Sequence, residues 1–330
     1  MPVRALLNDP DELVAEALDG FARSHPGLVR ANADPAYLIR AEPADKVALV
    51  SGGGSGHEPL HTGFVGTGML DVAVPGAVFA SPTAYQVRAA IRAADRGRGV
   101  LLVVKNYTGD LLNFGIAAEL AAEEGIETRI ALVDDDLATE SEDGPGRRGT
   151  AAVLAVEKIC GAAAERGADL EQLAELAARI TTSARTLALA TAACTHPGES
   201  RPSFELEVDE VEFGVGIHGE HGIGRRPYGS ARELTAALAD PVLESLGLTG
   251  GEEVLAIVNG LGATHGLELA TVARELHEHL AARGIRIARS LVGSYVTALD
   301  MRGCSVTLLR LDPELAELWD APVRTPALTW

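Results

Sequence analysis

The sequence predicts a two-domain α/β protein, with a largely parallel sheet in the first domain and a mixed sheet with helices in the second. Three observations predict it. The chain runs to 330 residues, beyond the usual size of one domain, and 47 % of them are hydrophobic, enough for sizeable cores. Its first half alternates short apolar runs, glycine or proline turns and helical patterns, as parallel strands with crossover helices do. Its second half opens with acids alternating with Phe204, Leu206, Val208, Val211 and Phe213, the mark of a half-exposed or antiparallel strand over 203–217.

Taken in order, Leu13, Val14, Ala17, Leu18 and Phe21 recur at helical spacing and predict a first amphipathic helix over 11–21. An apolar run at 47–50 reads as a short buried strand, followed by SGGGSGHEP at 51–59 as a glycine-rich turn. A second strand at 72–74 ends in Pro75-Gly76, and Pro82 stands where it can open a helix through 94. Strands at 99–104 and 127–133 bracket a helix at 111–123, and Asp134, Asp135 and Asp136 read as solvated acids ahead of a surface loop at 140–149. Helical patterns at 150–166 and 170–180, separated by Gly167, end the first domain, so the expected domains are 1–180 and 181–330. Beyond 217 the chain offers helices at 231–246 and 266–282 and strands at 254–258, 285–291 and 305–309.

Lys and Arg number 28 against 47 Asp and Glu, a formal net charge of -19. That balance repels nucleic-acid phosphates and anionic lipid, and no apolar stretch reaches the ~18 residues of a membrane span. Cys160, Cys194 and Cys304 are far apart and form no CxxC, as buried thiols of a reduced, cytoplasmic protein do.

Three titratable residues fall at expected strand exits: His57 after the glycine turn, Asp110 after KNYTG, and His218 within GVGIHGEHG. The carboxyl ends of strands are where open α/β sheets place ligands, and the three are expected to meet over one crevice. An imidazole can take a hydroxyl proton near neutral pH or attack a carbonyl carbon directly. Purely structural roles remain open for both histidines, and Asp110 suits the N-cap of the next helix. Residues 57–61, HEPLH, also fit the zinc-protease pattern, yet Pro59 in the middle and Gly56 before it work against one helical face. The glycine turn lacks the GK[ST] ending of a phosphate loop, so no nucleotide or other cofactor site is expected in this chain. Lys105, Asn106 and Tyr107 are placed to orient a small polar substrate beside Asp110, and Arg225 and Arg226 read as surface or partner-facing charges.

With these residues in view, the sequence closely resembles the substrate-binding K subunit of the dihydroxyacetone kinases. The resemblance spans nearly the whole chain and rests on SGGGSGHEP at 51–59, KNYTGD at 105–110, FELEVDEVEFGVGIHGE at 204–220 and TPAL at 325–328. It implies a homodimeric two-domain α/β protein that binds dihydroxyacetone, with His218 forming a reversible covalent hemiaminal with the substrate carbonyl. His57 and Asp110 match the acid/base pair, and Gly54, Ser81 and Lys105 match positions lining the substrate site. It further implies a separate L subunit that carries ADP or ATP with magnesium, recharged in some systems by a phosphotransferase donor protein. The chain departs from the family at His221, where proline commonly follows HGE. A kinase subunit for another small ketose such as erythrulose, or a ketose-binding transcriptional coactivator without kinase activity, carries the same resemblance.

Overall fold

The protein is described by a computed structural model over residues 5–140 and 146–330. Its chain divides into two compact units that alternate along the sequence. The first comprises Ala5–Val133, Val153–Ile180 and Glu317–Trp330; the second comprises Asp134–Ala152 and Thr181–Ala316. A single boundary near residue 181 therefore does not describe it, because 134–152 joins the second half and 317–330 returns to the first. Part of the expected 140–149 loop, residues 141–145, lies outside the described residues.

In the first unit α1 (Leu13–Ser24) precedes a hairpin of β1 (Val29–Ala33) and β2 (Ala36–Arg40). β3 (Ala48–Ser55), β4 (Val72–Val78), α2 (Ala84–Ala94), β5 (Val100–Lys105), α3 (Thr108–Glu123) and β6 (Thr128–Val133) follow. The sheet order is β1-β2-β4-β3-β5-β6, parallel from β4 to β6, with the hairpin added antiparallel at one edge. Ala48, Val50, Val72, Val74, Val100, Leu102 and Val104 share one core with α2 and α3. Strand alternation puts Leu49, Ser51, Leu101, Val103 and Lys105 on the opposite face. There α4 (Val153–Glu165), buried almost throughout, and α5 (Leu170–Thr182) continue the unit. A buried Asp71 accepts from Arg40 at 3.0 Å, Lys46 at 2.5 Å and the Leu49 amide at 2.8 Å, tying β2, β3 and the approach to β4 together.

The second unit contains β7 (Ala184–Ala192), β8 (Glu210–Phe213), β9 (Gly224–Pro227), α6 (Ala231–Leu246), β10 (Glu253–Gly260), α7 (Gly266–Ala281), β11 (Arg286–Gly293) and β12 (Arg302–Arg310). The chain then enters α8 (Pro313–Asp320). Its sheet order is β11-β10-β12-β7-β8-β9, and only β10 with β11 is parallel, so the sheet is mixed as expected. α6 opens with a capping box between Ser230 and Glu233 and closes on Gly247 in the left-handed region, φ 59°. The long strand expected at 203–217 shortens to β8, because Gly214 turns the chain at φ 77° immediately after Phe213. Among the described residues no helix is long and apolar enough to cross a membrane.

The acids at 134–136 correct the expectation of a solvated cluster. Asp135 and Asp136 are buried. Asp135 accepts from the amides of Thr150 at 2.6 Å and Ala152 at 3.0 Å and from the hydroxyls of Thr150 and Thr186. It thereby joins the 134–152 segment to β7.

Candidate active site

Two constellations hold the residues singled out in the sequence, one in each unit. In the first unit the glycines at 52–54 are still strand: β3 runs on to Ser55 instead of ending at residue 50. Glycine is required there by proximity. A Cβ on Gly53 would collide with the Lys105 ammonium, and one on Gly54 would stand 2.7–2.8 Å from the backbone of Phe79 and Ala80. Close approach of β3 to the β4–α2 connection is thus bought with missing side chains.

His57 follows directly, 1 % exposed, its ring stacked on Phe79 at 5.2 Å between centroids. Ser81, half-buried, belongs to the same connection, and a side chain at Gly109 would lie 3.2 Å from its Cβ. Asp110 sits in the first turn of α3, whose N-cap is Tyr107, so the expected N-cap role passes to another residue. The placement still suits a carboxylate, because the helix N-terminus favours negative charge. Its Oδ2 is 3.6 Å from Lys105 Nζ, and both side chains are buried. The structure thus gathers Gly54, His57, Ser81, Lys105 and Asp110 around the exit of β3.

His61 does not share a helical face with His57. Its Nδ1 lies 2.6 Å from Glu157 Oε1 and 3.1 Å from Ser51 Oγ, and its Nε2 lies 2.9 Å from Lys105 Nζ. Both ring nitrogens are thereby engaged, which leaves no lone pair aimed at a metal. Burial, with Lys105 and His57 nearby, pushes His61 well below the ordinary imidazole range, so the ring is neutral at pH 7. Burial also drives the Glu157 carboxyl well above the usual carboxylate range, opposed by Lys105 and Ser51. Sequence reading missed Glu157. A glutamate inside an alanine-rich helical pattern looks like a solvated face, and only the full burial of α4 reveals otherwise.

In the second unit His218 stands in the loop between β8 and β9, its side chain 21 % exposed. The next residue, Gly219, takes φ 77°, a conformation that favours glycine. Glu220 bends back beneath the histidine: its Oε2 accepts from the His218 amide at 2.7 Å, and its Oε1 faces His218 Nδ1 at 3.9 Å. Arg148 fixes that carboxylate at 3.1 Å, while also donating to Asp136 at 2.9 Å and to the Gly214 carbonyl at 3.0 Å. Burial lifts the Asp136 carboxyl to about 6 against the pull of Arg148. At 3.9 Å the carboxylate attracts the imidazole without a hydrogen bond, and a neutral imidazole nitrogen can act as a nucleophile. His221 is exposed, 3.4 Å from Glu212 and 5.1 Å from the Phe204 ring. Arg225 and Arg226 lie exposed on β9, Arg225 paired with Glu210 and Arg226 stacked on Phe213. Cys160, Cys194 and Cys304 are buried free thiols.

The Dak1 domain model matches residues 19–327. The chain is 43 % identical, over 99 % of each sequence, to the dihydroxyacetone-binding subunit DhaK of the PEP-dependent dihydroxyacetone kinase of Escherichia coli K12. The fold superposes on the dihydroxyacetone kinase operon co-activator DhaQ with a TM-score of 0.90 at 31 % identity, covering 95 % of this chain and 97 % of that one. It superposes equally, TM-score 0.90 at 36 % identity, on the native dihydroxyacetone kinase of C. freundii, covering 99 % of this chain and 60 % of that one.

Proposed function

Because the chain belongs to the Dak1 family, we propose that it is the substrate-binding subunit of a dihydroxyacetone kinase, a cytoplasmic phosphotransferase component acting with a separate nucleotide-bearing L subunit. His218 captures the ketone as a hemiaminal: its nucleophilic nitrogen bonds the carbonyl carbon as the carbon–oxygen π bond breaks, the oxygen takes a proton from solvent, and the ring releases the proton on its other nitrogen to solvent, leaving a neutral adduct. Glu220 accepts from the His218 amide and attracts its ring across 3.9 Å, which favours one orientation of the imidazole. Polyols such as glycerol have no carbonyl and escape capture. His57 and Asp110 accept the proton of the primary hydroxyl as that oxygen attacks the incoming phosphoryl group. Gly54, Ser81 and Lys105 line and orient the ketose. ADP or ATP with magnesium belongs to the L subunit, recharged where the system uses one by a phosphotransferase donor protein, and the active form of this chain is a homodimer.

The observation that carries this reading is the coincidence of family membership with a proton-handling cluster at β3 and a carboxylate-oriented histidine at 218. The test is a coupled assay with purified L subunit and donor, comparing dihydroxyacetone with both erythrulose enantiomers, beside native intact-mass analysis of the unreduced adduct. Turnover with one ketose, and an adduct lost on His218→Ala, is the expected result. An adduct without turnover would favour the second reading, a ketose-sensing coactivator, which the likeness to DhaQ brings forward.

A further inference from the structure

The face of β3 and β5 that meets α4 carries a run of ionisable groups of which only Lys105 has a part in binding the ketose. Strand alternation sends Ser51, Val103 and Lys105 to that face, and Glu157 comes to it from α4. The hydrogen bonds run Lys105 Nζ to His61 Nε2 at 2.9 Å and His61 Nδ1 to Glu157 Oε1 at 2.6 Å. Lys105 also donates to the Gly52 carbonyl at 3.1 Å and stands 3.6 Å from Asp110, while the Ser51 hydroxyl donates to the Val103 carbonyl at 2.8 Å. Glu157 Oε2 is buried with no hydrogen-bond partner among the described residues. Packing apolar side chains there would be less costly than burying three ionisable ones, so the arrangement calls for a use.

We propose that His61 and Glu157 are positioning residues that fix the place and the charge of Lys105 beside Asp110. The proposal rests on the kinase reading above. Donor and acceptor rules leave two proton arrangements. In the first, the Lys105 ammonium donates to a bare Nε2, the proton sits on Nδ1, and Nδ1–H donates to the Glu157 carboxylate. In the second, Glu157 is a neutral acid donating to Nδ1, and Nε2–H donates to a neutral Lys105 amine. Moving one proton from Lys105 to Nε2 and one from Nδ1 to Glu157 interconverts them, with none gained or lost.

The Gly52 carbonyl and the Asp110 carboxylate stabilise the charged form of Lys105, while burial of Glu157 favours the neutral form. The ion pair beside Asp110 is therefore adjustable. When Asp110 takes the substrate proton and loses its charge, the first arrangement loses its main support. Lys105 can then pass a proton inward and become a neutral amine beside the neutral Asp110, and the first arrangement returns when Asp110 gives up the substrate proton and recovers its charge. Apart from Asp110, His57 is the other titratable group facing this set.

Nitrogen-15 spectra of histidine-labelled full-length protein test this without any partner, with His61→Asn to assign the signal. The expected wild-type ring has a protonated Nδ1 and a bare Nε2. Glu157→Leu should remove that preference, and Lys105→Met should weaken it. With the L subunit, Glu157→Leu should lose about 10- to 100-fold in kcat with KM within about 2-fold. The acidic limb of kcat/KM should move to higher pH, and Glu157→Gln, which keeps an acceptor, should recover part of the loss. A His61 ring identical in wild type and Glu157→Leu, or Glu157→Leu with wild-type kcat and pH profile, overturns the proposal. If Glu157→Leu does not fold, Glu157→Gln and Lys105→Met are read against the same criteria. Wild-type protein inactive with every L subunit would instead sink the kinase reading, and the ring spectrum would still decide the positioning role.

Discussion

The β3 cluster and the His218 loop face opposite physical demands. His57, Lys105 and Asp110 are buried, and glycines in a strand bring backbone and charge into contact there. His218 is partly exposed on a loop, and its amide donates to the Glu220 carboxylate that Arg148 steadies. Proton handling gains from a dry, rigid setting, because electrostatic interactions strengthen where water is excluded. On the proposed function, a nucleophile that must meet a dissolved ketone needs an approach, and a loop supplies it. One unit therefore holds charge still, and the other presents an atom.

The sharpest way to break that contrast is His218→Ala, expected to abolish the adduct and lower turnover by about 10³-fold or more while thermal unfolding stays near wild type. Intact-mass and scanning-calorimetry measurements check the two halves of that statement. Asp110→Asn should lower turnover by about 10²- to 10⁴-fold and leave adduct yield within about 2-fold; a matching loss of adduct would erase the division of labour.

The Asp136 carboxyl gives a pH test. Its folded value of about 6 lies above its ordinary 3.8, so the folded chain binds more protons than the unfolded one between those pH values. The stabilisation is fully present below about pH 4 and lost as pH rises through about 6, a change of roughly 3 kcal/mol. Urea unfolding from pH 4 to 7 should show that decline, and Asp136→Asn should flatten it. Arg148→Ala frees Glu220 and should reduce adduct yield by about 10-fold, with little change in the pH behaviour of turnover. The smallest effect is expected from Arg225→Ala, which removes the pairing with Glu210, a 3.6 Å approach to Glu212 and a bond to the Glu205 carbonyl at the surface and should cost no more than about 1 kcal/mol in chemical denaturation.

Periodicity in the sequence was enough for β3 to β6, α2 and α3, because continuous apolar runs and turn residues mark buried parallel strands. It was not enough for the β1–β2 hairpin, where Asn32 to Pro35 carries weak apolar patterning, or for β7, whose alanines at 184–192 read equally as helix. The motifs drew attention to His57, Asp110 and His218, since glycine neighbours and expected strand exits are visible locally. Glu157, Glu220 as an orienting group, and Arg148 were not legible. Their roles depend on burial and on contacts across more than 70 residues of chain, as between Arg148 and Glu220. The 134–136 acids failed for the same reason: threonine hydroxyls and amides distant in sequence take the place of water.

The return of residues 317–330 to the first unit has a consequence for synthesis of the chain. Backbone pairing of Thr67 with Arg324, and the bond from Ala327 N to Gly63 O, must wait until residues 324–327 have left the ribosome. The half that is translated first is thus the half that is closed last, and a nascent chain stalled before residue 317 holds an unsealed N-terminal unit.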